Sequence, residues 1–296
     1  MRSHETRRRT SGRLPGAGAW VMAATAASCL LLSGCSAEDW KTGLLPSTKD
    51  TTDQTGRIID LWNGSWIAAL AVGALTWGLM IWCMVAYRRR KDETGLPPQV
   101  RYHLPIEILY TAIPVLMLVP LFVFTARDEA AIADTSATPD LVVNVVGKRW
   151  SWDFNYLNDP STPADDFYDT GLQGQLDGKE GVEKQLPTLY LPVNERVEFR
   201  LNTRDLNHSF WIPAFLYKLD LIAGVTNTFQ VVPTKTGEFQ GKCAELCGEY
   251  HSEMLFNVRV VPRSEYDQHM KDLAEIGQTG TLDTNLGISD TPEGDD

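Results

Sequence analysis

Histidine is scarce in this chain. There are five in 296 residues, at positions 4, 103, 208, 251 and 269, too few for a His-rich catalytic domain. Cysteine is equally rare. Cys29, Cys35 and Cys83 fall in apolar segments, which leaves only Cys243 and Cys247 for an aqueous region. No Cys-x-x-Cys-His occurs, so no c-type haem is attached to this chain. Basic residues are sparse beyond position 126, where 14 Lys and Arg stand against 29 Asp and Glu, a net of -15. An acidic half of this kind disfavours nucleic acid as a partner and favours a cationic protein. No internal repeat is visible.

The first part of the chain is different. Residues 1–126 hold 13 Lys and Arg against 9 Asp and Glu, a net of +4, and carry the long apolar runs. A basic, apolar beginning followed by an acidic, polar remainder implies membrane attachment followed by an aqueous domain. Arg7, Arg8, Arg9 and Arg13 precede an apolar run from Ala19 to Leu32, the layout of a signal peptide over 1–34. The run closes on Leu32-Ser33-Gly34-Cys35, which resembles a bacterial lipobox and marks Cys35 for lipidation. Residues 35–62 then form an extracytoplasmic N-terminal segment.

Residues 64–87 are uncharged and long enough to cross a hydrocarbon core of about 30 Å at about 1.5 Å per residue. They stop at Arg88-Arg89-Arg90-Lys91, which the positive-inside rule places in the cytoplasm. Residues 105–126 form the second span, in which Pro114 and Pro120 are tolerable because membrane helices accommodate proline. The expected result is a hairpin over 63–127 with its turn inside and the acidic domain outside. Glu107, the one carboxylate within the spans, is either an interfacial glutamate or a proton-handling group.

From about Pro139 the pattern becomes that of strands. Val197, Phe199 and Leu201 alternate with Glu198, Arg200 and Asn202; Phe256, Val258 and Val260 oppose Leu255, Asn257 and Arg259. Short strands over 139–262 predict an all-β sandwich or barrel. Residues 157–186 are rich in Gly, Asp and Pro and predict a long surface loop. In 263–296, a helix carrying Tyr266, Met270 and Leu273 is followed by a tail expected to be disordered after Gly277.

Cys243, Cys247, His251 and Met254 follow one another at intervals of four, four and three. On a straight strand they would spread over more than about 30 Å, so joint ligation requires a curled loop. Thiolate, imidazole and thioether together suit copper better than zinc. His208, just after an alternating run, is the placed candidate for a second imidazole. Two sulfurs four residues apart can bridge a copper pair; a structural disulfide or a zinc module is the competing reading of the same pair.

At this point the sequence resembles subunit II of bacterial cytochrome c oxidases over roughly residues 57–275. The resemblance rests on the two spans, VGKRWSWDFNY, DLNHSFWIPAFLYKLD and CAELCGEYHSEM. It implies a two-helix transmembrane hairpin, a cupredoxin-like fold and a dinuclear CuA centre. Cys243 and Cys247 would then be the bridges, His208 and His251 the terminal ligands, and Met254 the weak axial ligand. Glu245 would bind copper through its carbonyl and a magnesium ion, shared with subunit I, through its side chain. Trp150 would receive electrons from cytochrome c, and Glu107 would stand at a proton-channel mouth. Asp205 and Asp220 would lie near the docking region.

The resemblance further implies oxidase subunits I and III as partners, with haems only in partner subunits. Oxygen reduction would be coupled to proton translocation. The lipobox and the 157–186 insertion resemble the actinobacterial type, in which a membrane-bound cytochrome c acts within a supercomplex with a cytochrome bc complex. Trp150 and Trp152 are expected on opposite strand faces, with Trp150 exposed. A copper-delivery lipoprotein and the CuA domain of another respiratory reductase are the alternatives.

Overall fold

The computed structural model describes residues 36–89, 95–96, 99–157, 166–172 and 186–283. The signal segment, Cys35, most of the 157–186 insertion and residues 284–296 lie outside the described residues. The chain divides into two units, residues 1–44 and 45–296. In the first, helix α1 (Ala37–Thr42) starts at a capping box between Ser36 and Asp39 and ends at Gly43, whose φ of 65° suits glycine.

In the second unit, α2 (Thr55–Ala86) and α3 (Leu104–Ile132) are long and apolar enough to cross a membrane, with mean hydropathy of 1.9 and 2.2. Their apolar side chains face outward all round, Trp77, Val85 and Phe122 among them. A helix apolar on every face needs lipid or protein around it. Both helices extend past the expected spans, α2 beginning at Thr55 and α3 running on to Ile132. The N-terminus of α2 is set by reciprocal hydroxyl bonds, Thr55 N–H to Thr52 Oγ1 at 3.2 Å and Thr52 N–H to Thr55 Oγ1 at 3.1 Å. Pro114 and Pro120 sit inside α3 without ending it.

Beyond α3 the chain builds two five-stranded sheets. The first has the order β3-β2-β1-β5-β8, from β1 (Leu141–Lys148), β2 (Ser151–Leu157), β3 (Phe167–Thr170), β5 (Val197–Thr203) and β8 (Asn227–Val231). The second has the order β4-β10-β9-β6-β7, from β4 (Thr188–Pro192), β6 (His208–Ile212), β7 (Tyr217–Leu221), β9 (Gly237–Cys243) and β10 (Leu255–Val261). Most strand pairs are antiparallel; β1 with β5 and β4 with β10 are parallel.

The alternation read in β5 and β10 is the inward–outward alternation of their side chains. Between the sheets, Phe210 stacks on Phe256 at 5.1 Å and Phe199 on Phe229 at 4.9 Å. Burying each such ring stabilises the fold by roughly 1.5–3 kcal/mol. Gly241 makes room for this packing, since a Cβ there would lie 2.0 Å from the Phe256 ring. Helix α4 (Arg263–Glu275) closes the core with buried Tyr266, Met270 and Leu273.

Three expectations need correction. The 157–186 segment is not loop throughout, because Phe167–Thr170 pairs with β2 as an edge strand. The tail is not free directly after Gly277. Thr279 bridges Phe167, Asn155 exchanges two hydrogen bonds with Leu282, and Arg204 Nε donates to the carbonyl of Asp283. Trp150 and Trp152 are not on opposite faces of one strand. Residues two apart share a face, and the two differ because Trp150 lies in the β1–β2 turn, preceded by a cis peptide bond, while Trp152 is in β2.

Candidate metal centre

The sequence cluster occupies one end of the sandwich. Cys243 ends β9, and the chain then curls through Gly248, whose φ is 117°, and a 3₁₀ turn at His251–Glu253. Met254 returns it to β10, and Cys243 N–H donates to the Met254 carbonyl at 3.0 Å, closing the base of the loop. A second bond, from Ala244 N–H to the Ser209 carbonyl at 3.0 Å, fastens the loop beside His208 at the start of β6.

The side chains converge as required. Ligand atoms of His208, Cys243 and Cys247 lie within 4.8 Å of one another. His208 Nδ1 is 3.8 Å from Cys243 Sγ, His251 Nδ1 is 3.4 Å from Cys247 Sγ, and Met254 Sδ is 3.8 Å from Cys247 Sγ. The Glu245 carbonyl oxygen stands 3.2 Å from Cys243 Sγ, while the residue itself is exposed. The two sulfurs are 3.8 Å apart, far beyond a disulfide bond of about 2.05 Å. His208, Cys243, Cys247 and Met254 are buried and His251 half-buried.

The surroundings orient and charge this cluster. Asp205 Oδ1 lies 2.8 Å from His208 Nε2, which turns Nδ1 toward the sulfurs. Burial pushes the Asp205 carboxyl up, but hydrogen bonds from His208, Leu206 N–H and Arg149 N–H outweigh it and hold its pKa at about 2. Burial also raises the Cys243 thiol, yet the contacts with His208 and with the backbone at Glu245 and Ser209 together offset this, and the net shift is downward. Cys247 is pushed up to about 12, by burial first and then by the negative charge on Cys243. Two adjacent thiolates therefore need a cation between them. A largely buried set of two sulfurs, two imidazoles, a thioether and a carbonyl fits a soft metal and leaves little access for substrate.

Trp150 is half-buried, and its Nε1 donates to the Cys247 carbonyl at 3.0 Å. Its ring meets Tyr250 edge-on at 4.9 Å. Trp152 is fully buried behind the site, with its Nε1 3.3 Å from the Met254 carbonyl. Asp153, also fully buried, binds Lys148 at 2.6 Å and Arg204 at 2.8 Å, joining the β1–β2 hairpin to the loop before His208. Asp220 lies on β7 opposite Ser209 and pairs with Lys218 at 3.8 Å, outside the cluster. Glu107 is not part of it either; its Oε1 accepts the His103 N–H at 3.0 Å at the start of α3.

Sequence reasoning assigned Asp205 only to a docking region and passed over Gly147 and Tyr250. The Asp-x-x-His spacing was the available signal for Asp205. Gly147 carried none: a Cβ there would lie 2.8 Å from His208 Cδ2, a contact made across two sheets.

Fold and site together define a membrane-anchored cupredoxin-like protein with a buried cysteine–histidine cluster. The family described as cytochrome c oxidase subunit II, periplasmic domain, matches residues 141–261. A Streptomyces coelicolor protein named "Probable cytochrome c oxidase subunit 2" is 45% identical over 278 residues, 86% of either chain. "Cytochrome c oxidase subunit 2" of Mycobacterium bovis is 32% identical across 83% of this chain and 78% of that relative. The periplasmic domain of subunit II of cytochrome oxidase from Bradyrhizobium japonicum, a solved structure, is 28% identical with a TM-score of 0.40 over 47% of this chain and 97% of that one. The chain belongs to the cytochrome c oxidase subunit II family. As such it is a membrane protein with an extracytoplasmic domain, associated with other oxidase subunits.

Proposed function

We propose that the chain is the electron-accepting subunit of a terminal oxidase, passing electrons from cytochrome c to the haems of subunit I. There oxygen is reduced to water, coupled to proton translocation. The observation that carries this reading is the convergence of His208, Cys243 and Cys247 within 4.8 Å at a buried site. Cys243 and Cys247 would bridge a copper pair, His208 and His251 would cap it, and Met254 and the Glu245 carbonyl would complete it. When bound, such a pair supplies one-electron transfer with little change in bond length, because both metals share the electron.

The protein's own contribution is positional. Asp205 holds the His208 ring, the Cys243–Met254 backbone bond closes the loop, and burial excludes water. Trp150 offers a half-exposed ring bonded directly to the ligand loop, the place for an incoming electron. Glu245, an exposed residue, would share a magnesium ion with subunit I through its side chain. An acidic domain surface favours fast association with a basic cytochrome c. That donor is a membrane-bound cytochrome, acting within a supercomplex with a cytochrome bc complex, and subunit III completes the oxidase. Glu107 serves a proton channel; normal turnover and pumping in Glu107→Ala would reduce it to the helix cap seen at His103. Cys35 carries a lipid, to be tested by mass spectrometry of the mature N-terminus.

Purified oxidase should contain two coppers per chain in this subunit, with a delocalised mixed-valence signal. A single copper, zinc or a Cys243–Cys247 disulfide as the functional state would refute the reading.

A further inference from the structure

Two segments flank the membrane hairpin, one ahead of α2 and one linking α3 to the β domain, and both are fastened to one strand end of that domain. The first runs ahead of α2. Asp53 N–H donates to the Val232 carbonyl at 3.0 Å, and Val232 N–H donates back to Asp53 Oδ1 at 3.0 Å. Thr234 N–H bonds the Thr51 carbonyl at 3.0 Å, and Thr52 bridges Pro233. The second linker leaves α3. Gln230, at the end of β8 and 3% exposed, donates through Nε2 to the carbonyls of Ala137 at 2.9 Å and Thr135 at 3.3 Å.

Arg196, in the turn before β5, touches both linkers: Nη1 is 3.9 Å from Asp53 Oδ2, and its backbone N–H donates to Asp140 Oδ2 at 2.7 Å. The heads of the helices are joined as well, by Arg57 of α2 on the buried Asp128 of α3 at 3.1 Å, with Arg127 of α3 on the same carboxylate oxygen. Thr51, Thr52 and Thr55 are buried too. So many buried polar groups paired across two connections make a built joint, since ordinary linkers are solvated and cross few contacts.

The joint lies at the opposite end of the strands from the metal cluster. Val231 pairs with Val197 at the start of β5, whereas Thr203 at its end leads to His208. β1, from Leu141 to Lys148, spans the same interval, roughly 25 Å at about 3.3 Å per residue. A rocking of about 10° at the joint would move the metal end by about 4 Å over that lever. Electron tunnelling falls exponentially with distance, so such motion would degrade transfer.

We propose that Asp53 and Gln230 are positioning residues that lock the β domain to the hairpin and hold the metal end at fixed distance from its electron acceptor. The importance of that distance rests on the proposed electron-transfer role; the lock itself does not. The test uses the assembled oxidase, with nitroxides attached through genetically encoded ketone side chains at positions 130 and 223. Electron–electron double resonance reads the distance between hairpin head and metal end.

The unmodified protein should give a narrow distribution, and Asp53→Ala/Gln230→Ala should widen it by about 3 Å or more. Asp53→Asn, which keeps the Oδ1 acceptor, should remain narrow. Electron transfer onward to haem should slow by about tenfold in the double variant with copper content unchanged. A narrow distribution in the double variant, or a wide one with unaltered transfer, overturns the proposal. If the double variant fails to assemble, Gln230→Met removes the donor at similar size without setting a second carboxylate against Glu198, whose Oε2 accepts from Nε2 at 3.0 Å, and is read the same way. Absence of copper from the unmodified protein would sink the electron-transfer reading, while the distance measurement would still decide the lock.

Discussion

The indole Nε1 of Trp150 donates a hydrogen bond of 3.0 Å to the carbonyl of Cys247. One residue therefore supplies both a sulfur to the cluster and an acceptor to the tryptophan. The connection between the domain surface and the metal site is a single hydrogen bond followed by the covalent bonds of one cysteine. Trp150→Phe keeps the ring and deletes this bond. Electron input from cytochrome c should slow by about tenfold or more, while copper content stays constant. Stopped-flow reduction of the purified oxidase measures it, and an unchanged rate would remove Trp150 from the path.

Cys247→Ser should leave no more than one copper in the subunit and abolish the mixed-valence signal. The thiolate would be replaced by a hydroxyl that does not ionise at neutral pH and cannot bridge two soft metals. Metal analysis with electron paramagnetic resonance checks this. Two coppers and an intact signal in the variant would mean that Cys247 is no bridge.

Asp205→Ala should weaken copper binding by about 10–100-fold, the usual cost of losing the group that orients a metal-ligating histidine. It would leave His208 Nε2 and Arg149 N–H without their acceptor. Competition with a copper chelator gives the affinity. Asp205→Asn, which keeps an acceptor, should recover much of it.

Gly147→Ala should displace the His208 ring, because the added methyl would stand 2.8 Å from Cδ2 and 3.0 Å from Leu221 Cδ2. Overpacking of this sort costs about 1–3 kcal/mol. A lowered melting temperature together with a shifted visible spectrum is expected. A wild-type spectrum would show that the core yields elsewhere.

His269 stacks on Tyr190 at 3.7 Å, and its pKa is pushed down to about 4, by burial first and then by the charge of Arg259, against an opposing pull from Asp272. Below about pH 6.5 the unfolded chain binds a proton that the folded chain refuses until about pH 4. Stability from this residue is thus complete above pH 6.5 and is lost as pH falls through that window, by at most about 3 kcal/mol. Denaturant midpoints at pH 7 and 4.5 should converge in His269→Phe, which keeps the stacking and removes the titration. An unaltered pH dependence would place the effect on other groups.

The cluster of His208, Cys243 and Cys247 was legible because soft donors at short intervals are rare and their chemistry is independent of fold. The spans were legible because a bilayer demands a long apolar run whatever the neighbours are. The alternation in β5 and β10 likewise follows from one buried and one open face. Where no such local demand exists, the sequence was silent or misleading. The strand at Phe167–Thr170 is too short to show a period and forms only because β2 offers an edge. Residues 277–283 look like a polar tail, yet Asn155, Phe167 and Arg204 hold them from strands and loops far back in the chain.

The sequence alone determined that this is a membrane hairpin followed by an acidic, copper-suited β domain, since composition, charge bracket and donor spacing are properties of the chain itself. Only the tertiary structure decided that Asp205 turns His208, that Gly147 must lack a side chain and that Trp150 bonds the Cys247 carbonyl. It alone decided that Asp53 and Gln230 tie two separate segments to one end of β8. Each is a contact between segments far apart in the chain, or a ring orientation, and its energy exists only once both sheets are packed.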